Sequence, residues 1–191
     1  MITFVTGNAG KYAEAKKHIP ELHQLDIDLE EIQSLKPEDV VKHKLLQAAQ
    51  HCEGMIVVDD TSLSFDALGG LPGPFIKWFL KSLGTERVAH LAAENPRATA
   101  TCTLGLFQEN GEIKYFTVSV PGTIVAPRGE SGFGWDPIFV PEGSEKTFAE
   151  MTEAEKDRYK MRPKGISATS GVPRVIGIDL LLPGQYCSKL R

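Results

Sequence analysis

Thr6-Gly7-Asn8-Ala9-Gly10-Lys11 joins a short apolar run to a helix-like stretch, and such a junction can hold an anion. The unpaired N–H groups of a helix start favour negative charge. Gly7 and Gly10 let backbone come close, and Lys11 adds a point charge. The segment is not a Walker A loop: only two residues separate the glycines where four are needed, and Tyr12 follows the lysine where Ser or Thr belongs. Taken alone, it fits either a phosphate cradle or an ordinary strand-to-helix turn with a solvated lysine.

Acids form the second group. Asp59-Asp60 follow the apolar run Met55–Val58, and ligands of α/β sheets gather at the C-terminal ends of such strands. Carboxylates there can hold Mg²⁺, which takes oxygen ligands and keeps waters, or can deprotonate a water. A turn or helix-cap aspartate pair is the plain alternative. Glu30-Glu31 is a weaker signal, because most charge pairs in loops are solvated. Lys77 stands alone in the apolar stretch Gly73–Phe79 and either snorkels to solvent or meets an anion. Gly132-Phe133-Gly134-Trp135-Asp136-Pro137 suits a loop that lays a ring against a flat ligand, with Asp136 available to a base edge or sugar; core packing of the two rings is the alternative.

The elements that must carry these groups follow from pattern. Ile2–Val5 reads as a strand, and Ala9 to about His18 as a helix. Gln24–Leu29 alternates as a second strand. Pro37 opens a helix to about His51, with Glu38 and Asp39 where the dipole favours acids. Met55–Val58 is a buried strand ending at the acids. Gly69–Pro74 is a rigid turn, followed by helices over Phe75–Leu83 and Thr85–Ala93. Ala98–Phe107 and Ile113–Val120 flank Asn110-Gly111, a strong hairpin signal. Pro121-Gly122 turns the chain into Thr123–Ala126, Ile138–Val140 is a short strand, and Thr152–Lys160 starts a helix. The pattern predicts an α/β arrangement on a mixed sheet.

Composition narrows the class. The 191 residues are 41% hydrophobic and 24% charged, which predicts a single folded domain over 1–191 with a substantial core. The net charge of −4 argues against a nucleic-acid coat protein. It hides a split: 1–157 carry a net −10 and 158–191 a net +6. No apolar run approaches the ~20 residues of a membrane span, and the opening residues lack the marks of a signal peptide. Cys52, Cys102 and Cys187 form no Cys-x-x-Cys pair, so free thiols in a reducing cytoplasm are expected. The histidines show no zinc spacing.

Taken together, the motifs resemble the inosine triphosphate pyrophosphatase family of nucleotide hydrolases. Thr6-Gly7-Asn8-x-x-Lys11 with Glu14, Asp28-Leu29-x-Glu31, Val58-Asp59-Asp60-Thr61, Gly70 through Trp78, Phe133-Gly134-Trp135-Asp136-Pro137 and Glu155-Lys156 occur in family order over Met1 to about Arg162. The resemblance implies an elongated mixed β-sheet flanked by helices, two lobes with a central nucleotide cleft, and a homodimer. It implies hydrolysis of ITP, dITP and XTP to the monophosphate and pyrophosphate with Mg²⁺. Residue by residue, it places Thr6, Gly7, Asn8, Ala9, Gly10 and Lys11 on the phosphates, with Lys44 and Lys77. Asp60 with Thr61 would face the triphosphate, and Glu31 and Asp60 would serve the metal and the attacking water. Phe133, Gly134, Trp135, Asp136, Lys156 and Arg162 would surround the nucleoside.

The sequence departs from the family after Lys156. Met161 stands where the family has a base-reading histidine, and Lys160 where it has a serine. Weakened selection of ITP over ATP is therefore expected. Gly165, Gly171, Pro173, Gly177, Pro183 and Gly184 interrupt the helix with which the family closes, and Val175–Leu182 reads as a strand or an apolar tail. Two other readings share the fold: a Maf-like pyrophosphatase, against which the Phe-Gly-Trp-Asp-Pro segment argues, and a nucleotide-binding protein without turnover.

Overall fold

The computed structural model describes residues 1–159, Met161, and the backbone of 166–167 and 174–175. Arg162, Lys160 and most of the Val175–Leu182 segment lie outside the described residues. Elements run in the order β1 (Ile2–Val5), α1 (Ala9–Lys16), β2 (Leu22–Leu25), α2 (Pro37–Ala48), β3 (Met55–Phe65), β4 (Pro72–Gly73), α3 (Ile76–His90), β5 (Arg97–Phe107), β6 (Ile113–Ile124), β7 (Phe139–Pro141) and α4 (Glu153–Lys156). Ile166–Ser167 and Arg174–Val175 pair as a separate antiparallel ribbon.

Seven strands form one mixed sheet in the order β2-β1-β3-β5-β6-β7, with β4 alongside β3. β1 lies parallel to both β2 and β3, and the other pairings are antiparallel. Three apolar clusters fill the layers. One packs β1 and β2 with Tyr12 and Ala15 of α1, and includes Phe4, Leu22 and Val57. A second, on the opposite face, joins Val41, Leu45 and Ala48 of α2 to Ile56 and Val58. The third gathers Phe65, Ile76, Val88, Trp135, Phe139 and Phe148 at the far ends of the long strands. Two lobes result, spanned by β3, β5 and β6.

Several expectations shift. β2 begins and ends earlier than Gln24–Leu29: it can pair only along the four residues of β1, from Leu22 to Leu25. Ile27 and Leu29 instead pack against the α2-side cluster without joining the sheet. β3 does not stop at Val58. Its ladder with β5 runs from Ile56 to Phe65, carrying Asp59-Asp60-Thr61 inside a strand. Pro121-Gly122 is no turn: β6 continues to Ile124, and the bare Gly122 admits β7, where a Cβ would lie 2.3 Å from Val140 O. The two helices expected over Phe75–Ala93 are present as α3, broken at Gly84, whose φ is 77°. Asn110-Gly111 makes the expected hairpin, with Gln108 N–H donating to Glu112 O.

The site follows from how β3 is flanked. On one edge β5 accompanies it throughout. On the other, the β1 ladder ends at Val57 and the β4 ladder begins at Leu63. On that second edge the stretch between, which holds Asp59, Asp60 and Thr61, has no strand beside it among the described residues, and it lines a cavity.

Candidate active site

Successive side chains of a strand point to opposite faces. Val57 belongs to the α1-side cluster and Val58 to the α2-side cluster. Asp59 therefore faces α1 and Asp60 faces α2. Lys11 Nζ donates to Asp59 Oδ1 at 3.0 Å. Lys44 Nζ lies 2.9 Å from Glu31 Oε1 and 3.5 Å from Asp60 Oδ1, and donates to the Asp59 carbonyl at 3.3 Å. Lys77 Nζ reaches the other oxygen of Glu31 at 3.0 Å. Three lysines from three helices thus meet three carboxylates around one gap in the sheet.

Asn8 organises the start of α1. Its Oδ1 accepts from Lys11 N–H at 3.0 Å as the N-cap, and its own N–H donates to Thr6 Oγ1. A side-chain acceptor satisfies one of the four orphan donors of a helix start.

The charges tune one another. Burial works to raise the Glu31 pKa, but Lys44 and Lys77 outweigh it and hold the carboxyl below its ordinary range. Burial opposes the Lys44 charge, yet Asp60 and Glu31 keep its pKa above the usual lysine value. Asp60 is the exception. Burial pushes its pKa up, with Lys44 and Lys11 only opposing. Among the described residues, Asp60 Oδ2 is also buried without a hydrogen-bond partner. A buried carboxylate oxygen with no partner is costly, and such strain is concentrated at sites of function.

The opposite end of the cavity is aromatic. Trp135 is buried, with ring centroids 5.4 Å from Phe139 and 6.0 Å from Phe148, while Phe133 is half-exposed. Asp136 fixes this loop. Its Oδ2 accepts from Lys156 Nζ at 2.7 Å and from Phe133 N–H at 3.1 Å. Burial still raises the Asp136 pKa, with Lys156 opposing. α4 carries Lys156 and is held by a capping box in which Thr152 and Glu155 bond reciprocally.

A cavity of about 780 Å³ connects the two ends. Its wall includes Thr6, Gly7, Asn8, Lys11, Glu31, Lys44, Asp60, Thr61, Lys77, Phe133, Gly134, Trp135, Asp136 and Lys156, all expected from the sequence. Ala9 and Gly10 are not in the wall: they form the first turn of α1. Gly10 instead backs onto the Phe133 ring, 3.0 Å from where its Cβ would be. The wall also holds Glu14, Asp26, Asp28, Asp59 and Tyr159. Glu14, Asp28 and Asp59 sit within the motifs quoted above; Asp26 and Tyr159 carried no sequence signal. Met161 lines the cavity, packed between two apolar clusters.

The acid end fits Mg²⁺. Among the described residues no cluster of three or more His, Cys, Asp or Glu side chains could hold a metal by itself. Mg²⁺ asks less of a protein: one or two carboxylates, with waters and substrate phosphates completing the shell. Asp60 Oδ2, without a partner among the described residues, and the neighbouring Glu31 carboxylate meet that requirement.

Fold and site together define an α/β protein whose cavity is lined by charged side chains at one end and aromatic rings at the other. Residues 2–170 match the Ham1 family, and the chain belongs to that family. Three solved structures extend the likeness. The nucleoside-triphosphatase / dITP/XTP pyrophosphatase from Mycobacterium abscessus ATCC 19977 / DSM 44196 is 26% identical, with a TM-score of 0.68 over 83% of this chain and 93% of that one. The Staphylococcus aureus Ham1 protein is 27% identical, with a TM-score of 0.66 over 87% and 94%. A HAM1 protein from Coxiella burnetii is 25% identical, with a TM-score of 0.69 over 85% and 92%. Among the described residues no helix is long and apolar enough to cross a membrane.

Proposed function

We propose that this protein is a nucleoside triphosphate pyrophosphatase. It hydrolyses ITP, dITP and XTP to the monophosphate and pyrophosphate, removing non-standard purines from the nucleotide pool. One observation carries the reading: a single cavity has Lys11, Lys44 and Lys77 with three carboxylates at one end and Phe133 and Trp135 at the other. That is the chemical outline of a polyphosphate joined to a base.

Cleavage between the α and β phosphorus forms a bond from water oxygen to the α phosphorus and breaks the bond to the bridging oxygen, which leaves with pyrophosphate. The donors best placed for the departing charge are Lys11, Lys44 and Lys77, gathered before the substrate arrives. Asp60 accepts the proton of the attacking water. Glu31 and Asp60 would hold Mg²⁺, whose contribution when bound is to neutralise phosphate charge. The base lies against Phe133 and Trp135, and such stacking contributes roughly 1–3 kcal/mol. The reading extends to one domain over 1–191 and a homodimer in the cytoplasm; sedimentation velocity tests the dimer.

The test is a panel of ITP, XTP, dITP, ATP, GTP, UTP and TTP with Mg²⁺, scored for pyrophosphate and monophosphate. Both products from the non-standard purines are expected. Tight binding without product would make the protein a nucleotide binder instead.

A further inference from the structure

We infer that Asp59 is a positioning residue, which aims Lys11 at the polyphosphate and neither activates water nor holds the metal. The inference rests on the proposed pyrophosphatase reading. Asp59 and Asp60 are adjacent in sequence, yet strand alternation sends them to opposite faces of the sheet. Asp60 shares an ammonium with Glu31, through Lys44. The Asp59 side chain, 3% exposed, meets Lys11 from α1 at 3.0 Å.

Lys11 is a flexible side chain at the first turn of a helix of eight residues. Left alone, its ammonium would sample many rotamers, and fixing it costs side-chain entropy. A lysine ammonium has three donors. Asp59 occupies one and fixes the side chain, which leaves the others for the cavity. The Asp59 carbonyl accepts from Lys44 on the other face. One residue of β3 therefore sets the position of two cations, one by its side chain and one by its backbone. Mutation removes the side-chain contact and keeps the carbonyl, so the Asp59–Lys11 pair is the path to isolate.

A double-mutant cycle isolates that path. The variants are Asp59→Asn, Lys11→Ala and the pair, in the full chain, with Asp59→Glu as the conservative control. Two readouts are taken: Kd for inorganic pyrophosphate with Mg²⁺ by calorimetry, and kcat and KM for ITP. Asp59→Asn should weaken pyrophosphate binding and kcat/KM by about tenfold, the scale of one charge-assisted hydrogen bond. In the Lys11→Ala background the same change should have less than about a twofold effect. Asp59→Glu should recover part of the loss. Additive effects on both readouts would overturn the inference, since Asp59 would then act on metal, water or fold directly. Failure of the parent to bind pyrophosphate would overturn it too. If the parent binds pyrophosphate with the predicted coupling but hydrolyses no nucleotide, the pyrophosphatase reading fails while the positioning role stands.

Discussion

Lys44 Nζ lies 2.9 Å from Glu31 Oε1. This contact ties the irregular segment after β2 to the buried face of α2, and it places Glu31 beside the gap in the sheet. Lys77 closes on the same carboxylate from α3. The site is thus pre-assembled from four parts of the chain, with Asp60 on β3 carrying the buried oxygen that has no hydrogen-bond partner among the described residues.

Asp60→Asn should reduce turnover below about a tenth of the parent rate, because general-base catalysis is lost. The fold should survive. Burial disfavours the Asp60 charge, and Lys44 keeps Glu31 as its partner. Circular dichroism and Tm, measured beside ITP hydrolysis, check the pair of expectations. Retained activity would remove Asp60 from the water-activating role.

Lys77→Ala separates binding from stability. The Lys77 side chain is 62% exposed, and an ion pair that exposed contributes ~0–1 kcal/mol. Tm should move little, while kcat/KM for ITP should fall about tenfold with the loss of a charged phosphate contact. Thermal melts and steady-state kinetics on the same preparation read both.

Gly132→Ala should damage the aromatic end and spare the phosphate end. Gly132 has φ +83°, and a Cβ there would lie 2.2 Å from Asp136 Oδ2. The backbone conformation alone costs a non-glycine residue about 1–2 kcal/mol. The clash also pushes Asp136 off Phe133 N–H and Lys156. The expected result is a lower Tm and weakened binding of ITP, with pyrophosphate affinity close to that of the parent. Calorimetry with the two ligands distinguishes the ends.

Glu155 predicts a pH signature. Hydrogen bonds from Lys146 and Thr152 pull its pKa down to about 2. A carboxyl whose folded pKa is depressed stabilises the fold above its ordinary pKa and loses that contribution as pH falls through the folded value. Stability differences between the parent and Glu155→Gln should be full at neutral pH, shrink below about pH 4.5 and vanish near pH 2. Denaturant midpoints across that range supply the measurement. A difference that persists at pH 2 would contradict the capping role.

Met161 lines the cavity and has no hydrogen-bond donor. Selection between a 6-keto and a 6-amino purine should therefore be weak, with kcat/KM for ITP and ATP within about tenfold of each other. Met161→His should widen that ratio. A large ITP preference in the parent would show that another group reads the base.

Much of this site was legible because its chemistry is local in sequence. Thr6–Lys11 declares a helix start with a lysine, and its cap at Asn8 forms as such a start requires. Phe133-Gly134-Trp135-Asp136 reads as an aromatic loop for the same reason. Asp136 was less transparent: it looks available to a base, but its Oδ2 is taken by Lys156 and Phe133 N–H. That restraint depends on a residue twenty positions away. β3 hid its length, since three polar residues look like a strand end. They lie inside a strand because β5 pairs with β3 well past them. The division of labour between Asp59 and Asp60 is likewise invisible until a sheet face separates them.

The charge asymmetry of the chain is also clarified. The acid-rich body places Glu31, Asp59 and Asp60 among three lysines, so its net charge does not describe the ligand end of the cavity.

The central claim is best tested by phosphorus NMR of ITP incubated with the parent protein and Mg²⁺. Signals of inosine monophosphate and pyrophosphate, appearing together and in equal amounts, are the predicted result. Inosine diphosphate with inorganic phosphate, or no change in the triphosphate signals, would contradict it.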